Sequence, residues 1–361
     1  MTTAVAAGLL AATPAQAAEP ALYSVLINNN GLVHMGVGGS ETATFPVVAN
    51  VSPDIATIRG QIVTYGANFS DDLEEVPGSE NNMVCVPIRQ GTAQSCTGTA
   101  ILDQRQMTND LAGRALHLRI TGYTKDNQPY VLQEGHATVS RLQKATRLAP
   151  ADATPEPVRK GARLTVTGRL TAPDWGNLDA SGHTRIVGYA GQSVYLTYAK
   201  YASAGAYTRI KTVTSGPDGA LRTTVPATAS GAWKWIYWGN TGAASTSSLP
   251  DTVTLYKVAK LTVNASPEPV KKGGKLTVTG RLTRATTDAA TKFVGYGKQP
   301  VRLQFRKANG TYQTVKTVWT DARGYLRTTT KAKASGYWRW SYAGSSAVAS
   351  VSATGDKVAL K

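Results

Sequence analysis

The chain has 361 residues, with 39 Lys and Arg against 22 Asp and Glu for a net charge of +17, and only two cysteines and four histidines. That length accommodates two or three domains, and so few soft ligands leave little material for a zinc site. Thr, Val, small residues and 35 glycines dominate, with no long apolar run at helical spacing, so the chain reads as all-β.

Residues 1–17 form an Ala-rich apolar run ending in Ala15-Gln16-Ala17, the small-x-small pattern of an export signal cut before Ala18. The basic start usual for such a leader is not seen, so the true start codon is expected upstream of Met1. The run is too short for a membrane span, and no membrane-spanning helix is expected elsewhere.

Residues 18–143 read as a first β-sandwich domain, with strands LYSVLI, TATFPVVANV, IRGQIVTYG, VCVPIR, CTGTAILD and ALHLRITGYTKD separated by turn clusters. Cys85 and Cys96 lie on two of these strands with ten residues between them, and an exported chain would oxidise them to a structural disulfide. The acidic stretch around Pro77-Gly78 carries Asp71, Asp72, Glu74, Glu75 and Glu80. Its carboxylates make Asp71, Asp72, Glu74 and Glu75 candidate calcium ligands, although the regular spacing of an EF-hand loop is absent and a solvated acidic loop is the simpler reading.

The remainder is an internal repeat: TPEPVRKGARLTVTGRLT at 154–171 returns as SPEPVKKGGKLTVTGRLT at 266–283. The interval of about 100 residues is too long for a solenoid and suits one sandwich per copy, here 144–257 and 258–361. Period-two alternation turns Leu164, Val166 and Leu170 inward, matched by Leu276, Val278 and Leu282. Val194 and Leu196 answer Val301 and Leu303, and Leu221 answers Leu326. The closing strands GAWKWIYWG and GYWRWSYAG put Trp233, Trp235 and Tyr237, and Trp338, Trp340 and Tyr342, on a core face.

Three tryptophans, Trp175, Trp238 and Trp319, have no aromatic counterpart in the other copy and are candidates for stacking on sugar rings; for Trp175, in a loop after Pro173, partial burial is the preferred reading. Charge is divided unevenly, with 8 Lys and Arg against 12 Asp and Glu in 19–145 and 31 against 10 in 146–361. Cations recur in register, including Arg159/Lys271, Lys160/Lys272 and Arg169/Arg281. These six are the candidate polyanion contacts: strand parity turns most of the repeated cations outward, where they also discourage edge pairing with other chains.

The P-x-P-V-x-K-G-x-x-L-T-V-T-G-x-L opening, the V-x-L strand, the G-x-L-R-T-T strand and the G-x-W-x-W-x-Y strand together resemble the tandem immunoglobulin-like domains of secreted actinobacterial (Streptomyces-like) proteins. The resemblance covers 144–361 well, and residues 18–143 look like the domain that accompanies such repeats. It implies three immunoglobulin-like β-sandwiches in tandem and a secreted, extracellular or cell-wall-associated product. Some members carry a calcium-binding label without a site that maps onto these residues.

No G-x-S-x-G, H-E-x-x-H or phosphate-loop motif occurs, and Gly36–Glu41 lacks the third glycine of a dinucleotide fingerprint. A non-enzymatic binding protein without a cofactor is therefore expected. Its expected partner is an anionic cell-wall polymer or, alternatively, an extracellular glycan; no nucleic-acid recognition motif is present.

Overall fold

In a computed structural model of the chain, the residues described are 21–35, 42–53, 55–65, 73–88, 91–124, 126, 128–133, 140–201 and 206–361. The expected leader, Gly36–Glu41, Asp71 and Asp72 lie outside them. The described residues form an all-β protein of tandem sandwiches, whose non-strand regular elements are single 3-10 turns. By contacts it divides into two compact units: the described part of Met1–Arg147 with Thr171–Val187 and Trp238–Thr246, and Leu148–Leu170 with Gly188–Tyr237 and Ser247–Lys361.

In the first unit an antiparallel sheet runs Leu22–Ile27, Thr42–Val51, Ala93–Asp103, Asn81–Ile88, Ile55–Tyr65, His117–Thr124, Pro129–Gln133, with Leu73–Glu75 added beside Ile55–Tyr65. Asn81–Ile88 joins its two halves: Met83 pairs with Ile58, while Val84 to Ile88 pair with Thr97 back to Ala93. The sheet therefore closes over itself, and Val47, Ile62, Leu102, Leu118 and Ile120 meet in one core. Cys85 stands directly opposite Cys96 and is disulfide-bonded to it. The turn after the first strand is built from Asn28, Asn29 and Asn30, all at positive φ (47°, 51° and 60°), a conformation asparagine tolerates better than other side chains.

Two features of this unit differ from the sequence reading. Pro129–Gln133 is a strand, pairing with His117–Thr124. Leu142–Lys144 lies parallel to Val33–Met35, a long-range pairing that local alternation does not encode.

Each repeat makes a pair of five-stranded sheets. In the second copy Lys275–Ala285 carries Asn264–Ser266 and Ala259–Leu261 along one edge and Tyr325–Lys331 and Phe293–Gly295 along the other. Pro300–Arg306, Gln313–Trp319 and Gly336–Tyr342 form the facing sheet with two short end strands. Leu276, Val278, Leu282 and Leu326 from one sheet meet Val301, Leu303, Trp338, Trp340 and Tyr342 from the other. The first copy repeats this with Arg163–Leu178, Ala220–Pro226, Ser193–Lys200 and Gly231–Tyr237.

The recurring T-G-R-L now has a physical meaning. The indole Nε1 of Trp235 crosses the core to donate to the Thr167 carbonyl at 2.8 Å, and that of Trp340 donates to Thr279 at 3.0 Å. The next residue is glycine in both copies because a Cβ on Gly168 or Gly280 would stand 2.7 Å from the indole Cδ1. Sheet separation is set by this tryptophan-on-glycine contact. The P-x-P-V segment ties the front of each repeat to its end, because Val158 and Val270 are buried and their amides donate to Thr254 and Ala359.

Candidate functional site

The repeated cations fall into two groups. Arg159 and Lys160 occupy a tight turn closed by the Ala162 amide on the Arg159 carbonyl at 3.0 Å, and Lys271 and Lys272 occupy its copy, where Gly274 donates to Lys271 at 2.8 Å. The third turn residue, Gly161 or Gly273, has φ of 81° or 75°, which a side-chain-bearing residue resists. The turn therefore holds two adjacent cations out in solvent, and all four are exposed. Arg159 additionally donates to the Ser350 hydroxyl at 3.0 Å.

The second group stands on the outer face of the opening strand. In the first copy Arg163, Thr165, Thr167 and Arg169 project outward, with Arg222 cross-strand from Thr167. In the second, Lys275 faces Lys331, Thr279 faces Arg327 and Arg281 faces Tyr325. Arg169 and Arg281 are braced rather than loose: their Nε atoms donate to the Asp218 carbonyl at 2.9 Å and the Arg323 carbonyl at 3.3 Å, and Arg281 lies 4.8 Å over the Tyr325 ring. Six residues of strand put the two ends of this face about 20 Å apart. The cations consequently form a threonine-lined stripe on each repeat, with the turn pair beyond one end.

On the second repeat the stripe includes a concavity. The edge pairing breaks between Leu261 and Asn264, leaving a notch of about 500 Å³ lined by Thr262, Asn264, Thr279, Arg281, Tyr325 and Arg327. Thr262 holds its rim through a hydroxyl that accepts from the Arg281 amide at 3.0 Å.

The three candidate tryptophans separate. Trp238 and Trp319 are 69% and 66% exposed and present open ring faces. Trp175 is 3% exposed and belongs to the core of the first unit with Met107 and Leu111, so it offers no stacking surface. This removes Trp175 from the stacking candidates, in the direction of the burial preferred for it. The full extent of the burial was concealed because its partners come from the first 147 residues, whereas Trp175 follows the first copy of the repeat motif.

In the acidic stretch, Glu74 and Glu75 are engaged by arginines. Glu74 pairs with Arg114, which also binds Asp110 at 2.5 Å, and Glu75 pairs with Arg119 at 2.9 Å. Among the described residues no group of three or more His, Cys, Asp or Glu side chains is arranged to hold a metal ion. No helix there is long and apolar enough to cross a membrane.

One site was not anticipated from sequence: a cleft of about 710 Å³ in the second unit, lined by Lys200, Tyr201, Lys257, Arg284, Thr287 and Asp288 among others. Its residues come from segments with no shared motif, so only the fold assembles them. Asp288 accepts from Lys257 Nζ at 2.8 Å and from the Ser230 amide at 2.7 Å. Burial pushes the Asp288 carboxyl up, but these hydrogen bonds and the Lys257 charge outweigh it and hold it below the usual carboxylate value.

No protein-family model matches the chain, and no curated protein matches it. Among solved structures, a bacterial ice-binding adhesin is similar at 15% identity and TM-score 0.31, over 95% of this chain and 98% of that one. The Escherichia coli adhesin FdeC is similar at 16% and 0.33, over 97% and 99%. The ICAM-5 D1–D4 ectodomain fragment is similar at 15% and 0.42, over 95% and 76%. At these values the likenesses carry no argument about partner or activity, which must come from the chain's own surface.

Proposed function

We propose that the chain is a non-enzymatic binding protein of the cell exterior whose basic repeats attach to an anionic cell-wall polymer. The observation that carries this reading is the recurrence of positive charge at matched outward positions of both repeats: Arg159/Lys271, Lys160/Lys272, Arg163/Lys275, Arg169/Arg281 and Arg222/Arg327 are exposed in each. Lysine and arginine interchange at some of these positions, so it is charge rather than a particular hydrogen-bond geometry that is repeated, as attraction to a polyanion requires. In this reading residues 18–143 form a separate domain, with a net charge of −4 over 19–145 against +21 over 146–361. The domain boundaries fall at 143/144 and 257/258. The Cys85–Cys96 disulfide supports an oxidising, extracellular location.

The test is the salt dependence of retention on a polyphosphate or teichoic-acid matrix. Replacing Arg169, Arg222, Arg281 and Arg327 together by Gln is expected to weaken retention and flatten its dependence on salt, because fewer counterions are released. Unchanged retention and slope would contradict the reading.

A carbohydrate-binding alternative is favoured by one observation, the exposed faces of Trp238 and Trp319. Flat rings open to water are suited to stacking on the apolar face of a sugar.

A further inference from the structure

The 710 Å³ cleft of the second unit is distinct from the cationic stripes, and its size falls within the roughly 300–1,000 Å³ of small-molecule sites. Three cations line it, Lys200, Lys257 and Arg284, against a single carboxylate, Asp288. Both Asp288 oxygens are already occupied, by Lys257 and by the Ser230 amide. Lys200 and Arg284 therefore face the cavity without an acidic partner among its lining residues.

Arg284 carries a further sign of an unmet demand. Its Nε is buried with no hydrogen-bond partner among the described residues, while its guanidinium carbon lies 5.1 Å over the Tyr296 ring. A buried donor without an acceptor is costly, but this Nε is closed to solvent, so an oxyanion in the cleft would meet the terminal nitrogens of the guanidinium instead. The remaining lining is largely apolar, with Tyr201 at 54% exposure beside Pro157, Leu255, Ala289 and Ala347, and its hydroxyl residues include Thr254, Thr287 and Ser346.

The repeat register relates one wall of the cleft to a tryptophan of the first copy. Continued without gaps past the shared T-G-R-L-T, the register that places Trp175 in the first copy places Thr287 in the second. Trp175 is buried, with its amide donating to Asn109 at 2.9 Å and Lys144 Nζ 5.5 Å from its ring. At the matching position the second copy has a small hydroxyl residue on the wall of an open cavity.

We propose that this cleft binds a sugar unit bearing an anionic substituent, a carboxylate or a phosphate. Arg284 takes the oxyanion, Lys200 adds charge, Tyr201 lies against the ring and the threonine and serine hydroxyls meet the sugar hydroxyls. The proposal stands on residues separate from the stripes, so it does not require the wall-polymer reading.

The experiment is ligand-observed NMR titration of the full chain at physiological salt with methyl glucuronide, glucose 6-phosphate, methyl glucoside and inorganic phosphate. At least one anionic sugar is expected to bind with a Kd below about 10 mM, at least about tenfold tighter than the neutral glycoside and than phosphate. Which of the two binds identifies the substituent. Thr287→Trp, which refills the cavity, and Arg284→Gln should each weaken that sugar by about tenfold or more with an unchanged melting curve. Lys271→Gln with Lys272→Gln should leave it unaffected, although the wall-polymer reading expects that pair to weaken polymer retention. If Thr287→Trp fails to fold, Arg284→Gln decides alone. No saturation by either anionic sugar below about 50 mM, equal binding of phosphate alone, or full binding by a folded variant would overturn the proposal.

Discussion

Replacing Gly168 by Ala tests the sheet-spacing contact where it is cleanest. The three heavy atoms nearest to a Cβ built there all belong to Trp235, with Cδ1 and Nε1 both at 2.7 Å. The indole cannot retreat freely, because its Nε1 is held on the Thr167 carbonyl and the ring is fully buried. Overpacking of this kind costs about 1–3 kcal/mol. Backbone strain adds nothing to the cost, since Gly168 is not among the positive-φ residues; a strand alanine is instead about 0.5–1 kcal/mol better than glycine, which offsets part of the clash. Trp235→Leu alone should cost about 2–4 kcal/mol through the cavity it leaves. With a clash of about 2 kcal/mol partly offset by that gain, Gly168→Ala is expected to cost about 1 kcal/mol net in the native chain and to stabilise the Trp235→Leu background by about 0.5–1 kcal/mol, a coupling near 2 kcal/mol. Urea unfolding of the four proteins by far-UV circular dichroism, with m-values compared, measures it. Additivity within about 0.5 kcal/mol would refute the contact as the determinant of spacing. The matching cycle at Gly280 and Trp340 should couple less, because a Cβ there also meets the Thr262 carbonyl, which no tryptophan substitution relieves.

Reducing the Cys85–Cys96 bond, or replacing both cysteines by Ala, should lower the stability of the first unit by about 2–3 kcal/mol, the loop-closure value for so short a loop, measured by denaturant midpoint. Asp288→Asn should cost about 1–2 kcal/mol at neutral pH by breaking the hydrogen bonds to Lys257 and Ser230. Because the folded carboxyl sits below its unfolded value, its contribution is complete above the ordinary carboxylate range and is lost as pH falls through the depressed folded value. The gap between wild type and variant should therefore close in acid; a gap that widens would contradict the assignment. Trp238→Ala and Trp319→Ala should leave the melting temperature nearly unchanged while reducing any retention on neutral glycan, whereas Trp175→Ala should cost about 3–5 kcal/mol by emptying a core site.

Much of each repeat was legible in sequence because both halves of the pattern are local. Alternation at period two predicts the buried faces of Leu164 to Leu170 and of Trp233 to Tyr237, and the structure buries them. Two copies of one motif also give each assignment an internal check. What escaped the sequence depends on distant partners. Trp175 is buried by residues far earlier in the chain, and Leu142–Lys144 pairs in parallel with a strand more than a hundred residues away. Pro129–Gln133 was obscured by a prolyl start that suggests a turn, yet proline is tolerated at the first residue of an edge strand. The candidate cations were recognisable from their shared register. Their arrangement as a stripe, and the cleft around Arg284 and Asp288, required the sheet ladders and the loop between Ala285 and Phe293 to be in position.

The most direct test of the wall-polymer reading is sedimentation of the purified chain with isolated bacterial walls, before and after removal of their anionic polymers, across a salt series. Attachment through the cationic stripes predicts binding that falls steeply with salt and disappears with the polymers. Binding that survives both treatments would contradict it and assign retention to a specific glycan or protein contact.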